Sequence, residues 1–231
     1  MGSFLKGIIF DLDGVLTDTS RYHYLAWKSI ADNLGIPFDV KINERLKGVD
    51  RMASLEIILE KSTAGYSQKD KLRITEAKNN YYLGLINSIS PADLYPGVKR
   101  LFEEIKANEI RTALGSASKN AAVIIKRLGI EHYFDEIVDA NLINKSKPDP
   151  EIFIRAADMI GLKHFECAVV EDSAAGIRAA GSAGMLAVGI GKKENLPGAN
   201  LIYPCIADLK PSDLELYAST AQNRYVYGLA D

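Results

Sequence analysis

Cysteine is scarce in this chain of 231 residues, which holds only Cys167 and Cys205. They lie far apart and match neither the spacing of a zinc site nor the density of a disulfide-stapled secreted domain. We therefore interpret both as reduced thiols and expect a cytoplasmic protein. The opening residues, MGSFLKGIIF, are too short and wrongly arranged for a secretory signal peptide.

An excess of positive charge is also missing, because 28 Lys and Arg side chains are set against 30 Asp and Glu side chains. The net charge of −2 gives no reason to expect a polybasic surface for nucleic acid or for an anionic membrane. No apolar run approaches the roughly 18 residues that a membrane-spanning helix needs. The composition, 47% hydrophobic and 25% charged, is that of a globular protein. We expect small-molecule partners, no nucleic acid or membrane partner, and a monomer.

Short apolar strands alternate with helical patterns along most of the chain. The predicted strands are GIIF at 7–10, RTALGS at 111–116, EIVDA at 136–140, CAVVED at 167–172 and LAVGI at 186–190. This alternation predicts βαβ units and a parallel sheet covered on both faces, which is an α/β, Rossmann-like fold. In such sheets ligands bind beyond the carboxyl ends of the strands, where Asp11, Ser116 and Asp172 fall.

One long segment between the first two predicted strands carries helical patterns and no convincing strand. YHYLAWKSIADNLG places its apolar side chains on one stripe, whereas the polar KINERLKG predicts a short helix. The segment ends at SPADLYPG, where proline and glycine punctuate the chain. We therefore predict an α-helical cap domain at residues 17–94, inserted into a core domain formed by residues 1–16 and 95–231.

Two aspartates, Asp11 and Asp13, follow the first strand in GIIFDLDGVLTD, and Asp18 is a third. Two carboxylates ~4 Å apart repel by about 4 kcal/mol at an effective dielectric constant of ~20, so a cation or a shared proton must offset the cost. An EF-hand calcium loop needs glycine and glutamate where this chain has Leu16 and Tyr22. The remaining interpretation is a carboxylate nucleophile beside a second carboxylate, held together by a hard cation.

Three later segments fit that interpretation. LGSAS ends a strand with Ser116, whose hydroxyl is suited to a phosphate oxygen, and residues 118–120 open a helix whose N-terminus favours anions. SKPDP supplies Lys147, an ammonium that would neutralise a phosphoryl group. VVEDSAAG supplies Glu171 and Asp172 at a strand end as further oxygen ligands for Mg²⁺. Each segment is weak alone, but their order and their positions at strand ends are specific.

The motifs DLDGVLTD, GSASKN, SKPDP and VVEDSAAG resemble the four motifs of the haloacid dehalogenase superfamily of phosphotransferases. Residues 4–217 more closely resemble its sugar-phosphate mutases, through TDTSRYHYLAWK, LKGVDRMAS and SPADLYPG. This resemblance implies an isomerase that interconverts β-D-glucose 1-phosphate and glucose 6-phosphate. It also implies an aspartyl-phosphate, bound β-glucose 1,6-bisphosphate as intermediate, and Mg²⁺ as cofactor.

The resemblance implies a role for each matching residue of the core. Asp11 would be the nucleophile, and Asp13 the general acid and base toward the sugar hydroxyl. Ser116 and Lys147 would hold the transferring phosphoryl group, and Thr19 would act where hinge and cap join, coupling cap closure to the placement of Asp13. The implied metal ligands are Asp11, the backbone carbonyl of Asp13, Glu171 and Asp172.

A second implied set of residues would bind the sugar and its distal phosphate, with Arg51 as the main charge. The set comprises His23, Trp27, Leu46, Lys47, Gly48, Val49, Arg51, Ser54, Lys78, Ala117, Ser118, Lys119 and Asn120. Packing in the cap interior is a rival interpretation for His23, which lies one helical turn from Trp27. Trp27 is expected to belong partly to the cap interior and partly to the wall of the site.

Two other functions compete with the mutase. An Mg²⁺-dependent phosphatase of small sugar phosphates would use the same core, but would let water attack the aspartyl-phosphate. A catalytically silent sugar-phosphate sensor would not need Asp11, Asp13, Lys147 and Asp172 all intact. The cap motif LKGVDR and the helix opening SASKN favour the mutase, because a second phosphate needs its own site.

Overall fold

The structure is a computed structural model that describes residues 4–46 and 49–226, with side chains described as far as residue 220. Its centre is a six-stranded parallel sheet with the strand order β3-β2-β1-β4-β5-β6. The strands are β1 (Gly7–Phe10), β2 (Arg111–Ser116), β3 (Glu136–Asp139), β4 (Cys167–Glu171), β5 (Leu186–Ile190) and β6 (Leu201–Tyr203). The predicted Rossmann-like core is confirmed.

The sequence patterns predict five of these strands within one residue at each end, but not β6. This edge strand has three residues, all half-buried, so its apolar pattern does not differ from that of a loop. Its partner β5 positions it through the parallel register Val188–Leu201 to Ile190–Tyr203. Tertiary pairing therefore defines β6, rather than any local signal.

Helices cover both faces of the sheet and also form the insertion. They are α1 (Ser20–Asn33), α2 (Val40–Glu44), α3 (Arg51–Leu59), α4 (Gln68–Leu85), α5 (Val98–Ala107), α6 (Ala121–Leu128), α7 (Glu151–Met159), α8 (Ala174–Ser182) and α9 (Pro211–Val226). Within the described residues, no helix is both long enough and apolar enough to cross a bilayer.

The central strand β1 shows how the sheet is buried on both sides. Ile8 and Phe10 belong to one apolar cluster with residues of α5 and α6, whereas Ile9 belongs to the opposite cluster with residues of α7 and α8. All three side chains are fully buried. Successive side chains of a strand point to opposite faces, so a continuous apolar run is what a doubly covered strand requires.

Helices α1–α4 form the predicted cap between β1 and α5, with an apolar cluster of their own around Trp27 and Leu55. Helix α4 begins at a capping box made by Ser67 and Asp70, which satisfies free amides of its first turn. Helix α1 ends just before Gly35, whose φ of 67° favours glycine. Helix α2 has only five residues, as the polar KINERLKG predicts.

The two chain segments that join cap and core lie side by side. Thr17 and Leu94 form an antiparallel bridge, and the Tyr95 amide donates to the Leu16 carbonyl at 2.9 Å. The Thr17 hydroxyl donates to the Asp93 carbonyl at 2.8 Å. Entry and exit of the insertion are therefore tied to each other at one edge of the sheet.

Candidate active site

The carboxyl ends of three adjacent strands bring the motif residues together. Asp11 directly follows β1, Ser116 ends β2 on one side of it, and Glu171 ends β4 on the other. The Asp11 amide donates to the Val170 carbonyl at 2.9 Å, which continues the β1–β4 ladder past the end of β1. The order of the strands in the sheet therefore makes neighbours of motifs more than 100 residues apart.

Lys147 is the positive charge at this edge of the sheet. Its Nζ lies 2.8 Å from Asp11 Oδ1, 2.7 Å from Glu171 Oε1 and 3.0 Å from the Gly115 carbonyl oxygen. Burial alone would lower the pKa of Lys147, but the carboxylates of Asp11 and Glu171 outweigh burial and raise it. Lys147 is therefore a charged ammonium that bridges two strand ends.

Carboxylates outnumber this ammonium. Burial, together with the charge of Glu171, raises the pKa of Asp11 to about 7, although Lys147 acts in the opposite direction. Burial and the charges of Glu171, Asp11 and Asp13 raise the pKa of Asp172 to about 8. Oxygen atoms of Asp11, Glu171 and Asp172 lie within 4.8 Å of one another. A hard divalent cation is the group that such crowded carboxylates accommodate.

Glu171 and Asp172, at the end of β4, differ in how many of their carboxylate oxygens already accept hydrogen bonds. Glu171 accepts from Lys147 with Oε1, and from the Ser173 amide and hydroxyl with Oε2 at 2.7 and 2.9 Å. No donor in the described part of the chain hydrogen-bonds to the carboxylate of Asp172. Asp172 therefore has the more available oxygens, although both residues satisfy the distance requirement for a shared cation.

Two glycines keep this acidic cluster compact. A Cβ atom at Gly14, where φ is 79°, would lie 2.0 Å from Asp172 Oδ2. A Cβ atom at Gly176 would lie 1.9 Å from Glu171 Oε1. Any larger residue at either position would push a carboxylate out of the cluster, which explains the glycines in DLDG and EDSAAG.

Asp13 is held by the first residues of the cap. Its Oδ1 accepts a 3.1 Å hydrogen bond from the Thr19 amide and a second bond from the Thr19 hydroxyl, which in turn accepts from the Tyr82 hydroxyl at 3.2 Å. Burial raises the pKa of Asp13, and the bonds from Thr19 lower it. The third aspartate of the motif, Asp18, accepts from the Ser20 amide at the start of α1.

The loop after β2 presents polar groups beside the acidic cluster. The buried Ser116 hydroxyl accepts from the Ser118 amide at 3.2 Å, and the Ser118 hydroxyl accepts from the Asn120 amide at 3.3 Å. Ala117 is half-buried between them, and Lys119 is exposed. This turn is continuous with the N-terminus of α6.

One hydrogen bond from this loop crosses from core to cap. Asn120 Nδ2 donates to Asn79 Oδ1 of α4 at 2.9 Å. The sequence patterns do not identify Asn79. The only feature of the sequence that points to Asn79 is its position directly after Lys78 on an amphipathic helix. That feature indicates a role in the site only when the position of α4 above the site is known.

The cap contributes a buried cluster of basic side chains. Lys78 Nζ lies 2.9 Å from His23 Nδ1, 5.1 Å from the centre of the Trp27 ring and 4.6 Å from that of Tyr82. Burial, followed by the charge of Arg51, lowers the pKa of Lys78 to about 7, and Asp13 opposes this shift. Burial, Lys78 and Arg51 also lower the pKa of His23.

No carboxylate is paired with this cluster within the described residues. Neither Lys78 nor Arg51 forms an ion pair there, and burial lowers the pKa of the half-buried Arg51 guanidinium. Buried like charges without a counterion are costly, so the cluster has the charge of an anion-binding site. His23 and Trp27 both lie in the cap beside Lys78, which is compatible with packing and with substrate binding alike.

The described residues of the LKGVDR motif other than Arg51 lie between α2 and α3. The buried Leu46 carbonyl accepts from the Val49 amide at 3.2 Å, and the buried Ser54 hydroxyl donates to the Val49 carbonyl at 3.4 Å. Asp50 caps α3 by accepting from two amides. Two implied substrate-binding residues, Lys47 and Gly48, lie outside the described residues.

Tyr82 is the main residue of this region that the motifs do not identify. It lies one turn from Lys78 on α4, so both side chains point to the same face of the helix. Its fully buried ring packs 4.2 Å from the His23 ring, and its hydroxyl reaches Thr19. Tyr82 thereby connects the basic cluster of the cap to Asp13.

Comparison with known proteins assigns the class. Residues 5–184 match the family model for haloacid dehalogenase-like hydrolases. The chain belongs to this family, whose dependence on Mg²⁺ agrees with the acidic cluster of Asp11, Glu171 and Asp172.

Within the family, similarity is high to two proteins named beta-phosphoglucomutase. The protein of Bacillus subtilis is 46% identical over 89% of this chain and 92% of its own length. The crystal structure of the protein from Clostridium difficile superposes with a TM-score of 0.91 at 43% identity, covering 95% of this chain and all of the other. A phosphorylated carbohydrates phosphatase of Thermotoga maritima is 30% identical over 91% of this chain and 96% of its own.

Proposed function

We propose that this enzyme is a β-phosphoglucomutase, which interconverts β-D-glucose 1-phosphate and glucose 6-phosphate through an aspartyl-phosphate and bound β-glucose 1,6-bisphosphate. The observation that carries the proposal is the basic cluster of His23, Arg51 and Lys78, which has no carboxylate counterion among the described residues. Tyr82 and Thr19 connect this cluster to Asp13. An enzyme that handles a sugar bisphosphate needs an anion site for the phosphate that is not reacting. The similarity to the B. subtilis and C. difficile mutases supports the same conclusion.

Asp11 is the proposed nucleophile. Its carboxylate oxygen attacks the phosphorus of a sugar phosphate, the bond from phosphorus to the sugar oxygen breaks, and an aspartyl-phosphate forms. Splitting the reaction into two covalent transfers lets Asp11 deliver one phosphoryl group to a sugar oxygen and take a second phosphoryl group from a different oxygen of the same sugar. The position of Asp11 at the end of the central strand, 2.8 Å from Lys147, supports this role.

Asp13 is the proposed proton donor and acceptor. It protonates the sugar oxygen that leaves phosphorus, and in the reverse direction it removes the proton from the attacking hydroxyl. Burial raises the pKa of its carboxyl group, which favours the protonated form needed for donation. The hydrogen bond from the Thr19 amide supports a coupling of this proton exchange to the hinge.

In the complete cycle the phosphorylated Asp11 first transfers its phosphoryl group to the 6-hydroxyl of β-D-glucose 1-phosphate. The product, β-glucose 1,6-bisphosphate, then presents its other phosphate to Asp11. Attack there regenerates the aspartyl-phosphate and releases glucose 6-phosphate. Each half-reaction moves one phosphoryl group and one proton, so the enzyme returns to its starting state.

Charge stabilisation is assigned to residues that surround Asp11. Lys147 and the Ser116 hydroxyl hold the oxygens of the transferring group, whose negative charge is the main demand of phosphoryl transfer. Asp11, the Asp13 carbonyl, Glu171 and Asp172 are the proposed ligands of Mg²⁺. When bound, this ion supplies charge neutralisation to the transferring group and to the carboxylates.

The remaining residues of the predicted site are assigned to the sugar and its distal phosphate. Arg51, Lys78 and His23 would bind from the cap, together with Trp27, Leu46, Lys47, Gly48, Val49 and Ser54. The core would contribute Ala117, Ser118, Lys119 and Asn120 from the loop before α6. Asn79 is an addition to the sequence-based set, because it already bonds to Asn120 across the cleft.

The division into domains is part of the same proposal. We place the cap at residues 17–94 and the core at residues 1–16 and 95–231, because the chain crosses between them at the Thr17–Leu94 bridge. Two crossings held side by side permit rotation of one body against the other. A monomeric, cytoplasmic enzyme remains our prediction.

A sugar-phosphate phosphatase is the second candidate, and the similarity to the T. maritima phosphatase supports it less strongly. The deciding assay supplies purified protein with β-D-glucose 1-phosphate, Mg²⁺ and a trace of β-glucose 1,6-bisphosphate. Glucose 6-phosphate should accumulate in large excess over free phosphate, and the matched Asp11→Asn variant should form neither. Free phosphate equal to the substrate consumed would assign the phosphatase instead.

A further inference from the structure

A groove of about 450 Å³ opens beside Asp172 on the side of the sheet that carries β5 and β6. It lies between the hinge segment at Tyr95 and Pro96 and the loops that follow those two strands. Its walls include Gly14, Tyr95, Asp172, Lys192, Asn195 and Cys205. The groove is thus adjacent to one of the proposed metal ligands.

The groove does not overlap the proposed sugar site. None of its lining residues belongs to α1–α4 or to the loop before α6, which carry the groups assigned to the sugar and its phosphates. Asp172 is the one acidic residue of the metal cluster that lines it. The cluster therefore lies between two spaces, one below the cap and one beside the hinge.

Exposure within the acidic cluster follows the same arrangement. Glu171 is 1% exposed and Asp11 is 8% exposed, whereas Asp172 is half-buried. Its carboxylate also accepts no hydrogen bond from the described residues. A cation that arrives through the groove would meet Asp172 first, and would displace no protein donor from it.

Carboxylates lie near the wall of the groove that Tyr95 forms. Burial raises the pKa of the Tyr95 hydroxyl to about 12, and the charges of Asp18, Asp172 and Asp13 add to this shift. Tyr95, which lines the groove, therefore lies within electrostatic range of three carboxylates. Lys192, the basic side chain in the lining, is exposed, so solvent screens its opposing charge.

We propose that the divalent cation enters and leaves the active site through this groove, with Asp172 as its first ligand. The sugar phosphate uses the separate space beneath the cap. Exchange of the metal then proceeds while a sugar phosphate is bound, and cap closure does not trap it. The inference rests on the proposed metal site at Asp11, Glu171 and Asp172.

Cys205 offers a direct test, because it is exposed in the groove lining whereas Cys167 is buried. The wild-type protein is labelled with a bulky maleimide, and Mn²⁺ binding and chelator-induced release are followed by stopped-flow. Both rate constants should fall together by about ten-fold, so that the equilibrium affinity stays unchanged. Asn195→Trp, a substitution at an exposed lining position, should slow both rates in the same direction.

The matched control carries the label elsewhere. In a Cys205→Ala, Thr63→Cys double variant the same maleimide lies on an exposed loop of the cap, and the Mn²⁺ rates should equal those of the unlabelled protein. Saturation of the unlabelled protein with glucose 6-phosphate should also leave the Mn²⁺ association rate constant unchanged. The proposed route would be overturned if the Cys205 label left both Mn²⁺ rate constants unchanged, or if the Mn²⁺ association rate constant fell when the sugar phosphate was bound. Failure to bind Mn²⁺ at all would reject the metal site itself.

Discussion

At the scale of single residues, Arg51 is the most informative side chain of the cap. It is half-buried beside Lys78, and no ion pair of its guanidinium occurs in the described part of the chain. A guanidinium in this setting is matched to a phosphate, because its fixed fork of donors binds two oxygens at once.

Replacing Arg51 with alanine should therefore weaken the binding of β-glucose 1,6-bisphosphate. Loss of a charge-assisted hydrogen bond of about 1.5–3 kcal/mol corresponds to a rise in Kd of about ten- to hundred-fold. Isothermal titration calorimetry on the Asp11→Asn background measures this without turnover. The control is Arg45→Ala, which removes an exposed arginine of the same cap that pairs with Glu60. Equal affinities for the two variants would contradict the assignment.

Protonation of Lys78, in the cap, should make the stability of the protein depend on pH. Its folded-state pKa of about 7 lies below the value of about 10.4 for an unfolded lysine. Between these two values the unfolded chain binds more protons, so the free energy of unfolding should rise with pH by up to about 1.4 kcal/mol per unit. His23, Arg51, Asp13 and Tyr82 are the groups that set this environment.

A Lys78→Met variant should lose this contribution, and it should be more stable than the wild type at pH 7. Chemical denaturation at several pH values from 7 to 10 gives the measurement. Lys69→Met, which replaces an exposed lysine of the same helix, is the control and should keep the wild-type slope. If Lys78→Met kept the wild-type dependence of the unfolding free energy on pH, a group other than Lys78 would be responsible for it.

At the scale of elements, local pattern accounts for much of the fold but not for all of the site. The strands that carry Asp11, Ser116 and Glu171 are buried apolar runs, so their ends and their convergence follow from the sequence. The short edge strand β6 depends on pairing with β5 and has no such signal. Sequence patterns do not identify Tyr82 and Asn79, because their hydrogen-bond partners, Thr19 and Asn120, lie outside helix α4 and far away in the sequence.

The paired linkers at Thr17 and Leu94 define the expected motion of the cap. Only one hydrogen bond between polar side chains, Asn120 to Asn79, joins the loop before α6 to helix α4 among the described residues. A ligand with phosphates at both ends would contact the basic cluster and the acidic edge together, and so would favour the closed arrangement.

Small-angle scattering should detect this closure. The Asp11→Asn variant saturated with β-glucose 1,6-bisphosphate should have a smaller radius of gyration than the same variant alone. Glucose, which lacks phosphates to join the two bodies, serves as the control ligand and should leave the profile unchanged. Superimposable profiles at saturating bisphosphate would argue against hinge closure.

At the scale of the whole molecule, the central problem for a mutase is water. A general base beside an aspartyl-phosphate would activate water as readily as a sugar hydroxyl, unless its position depends on the sugar. Here the Asp13 carboxylate is bound by the amide and hydroxyl of Thr19 at the start of the cap, and Tyr82 completes the link to Lys78 and His23. Binding of a phosphate to that cluster would move the cap, and with it Thr19. Closure that completes a catalytic site only for the right acceptor is an established source of specificity.

The phosphorylated enzyme should therefore transfer its phosphoryl group to glucose 6-phosphate much faster than to water. A pulse of phosphoryl donor, followed by a chase with buffer or with glucose 6-phosphate, measures the two decay rates of the aspartyl-phosphate.

Asp13→Asn should abolish the fast transfer to the sugar yet retain Mn²⁺ binding, because its backbone carbonyl, rather than its side chain, is the proposed ligand. Thr19→Val should narrow the difference between the two chases, since Asp13 would no longer be held away from water before the cap closes. Equal decay in both chases of the wild type would mean that the same core and cap serve a phosphatase.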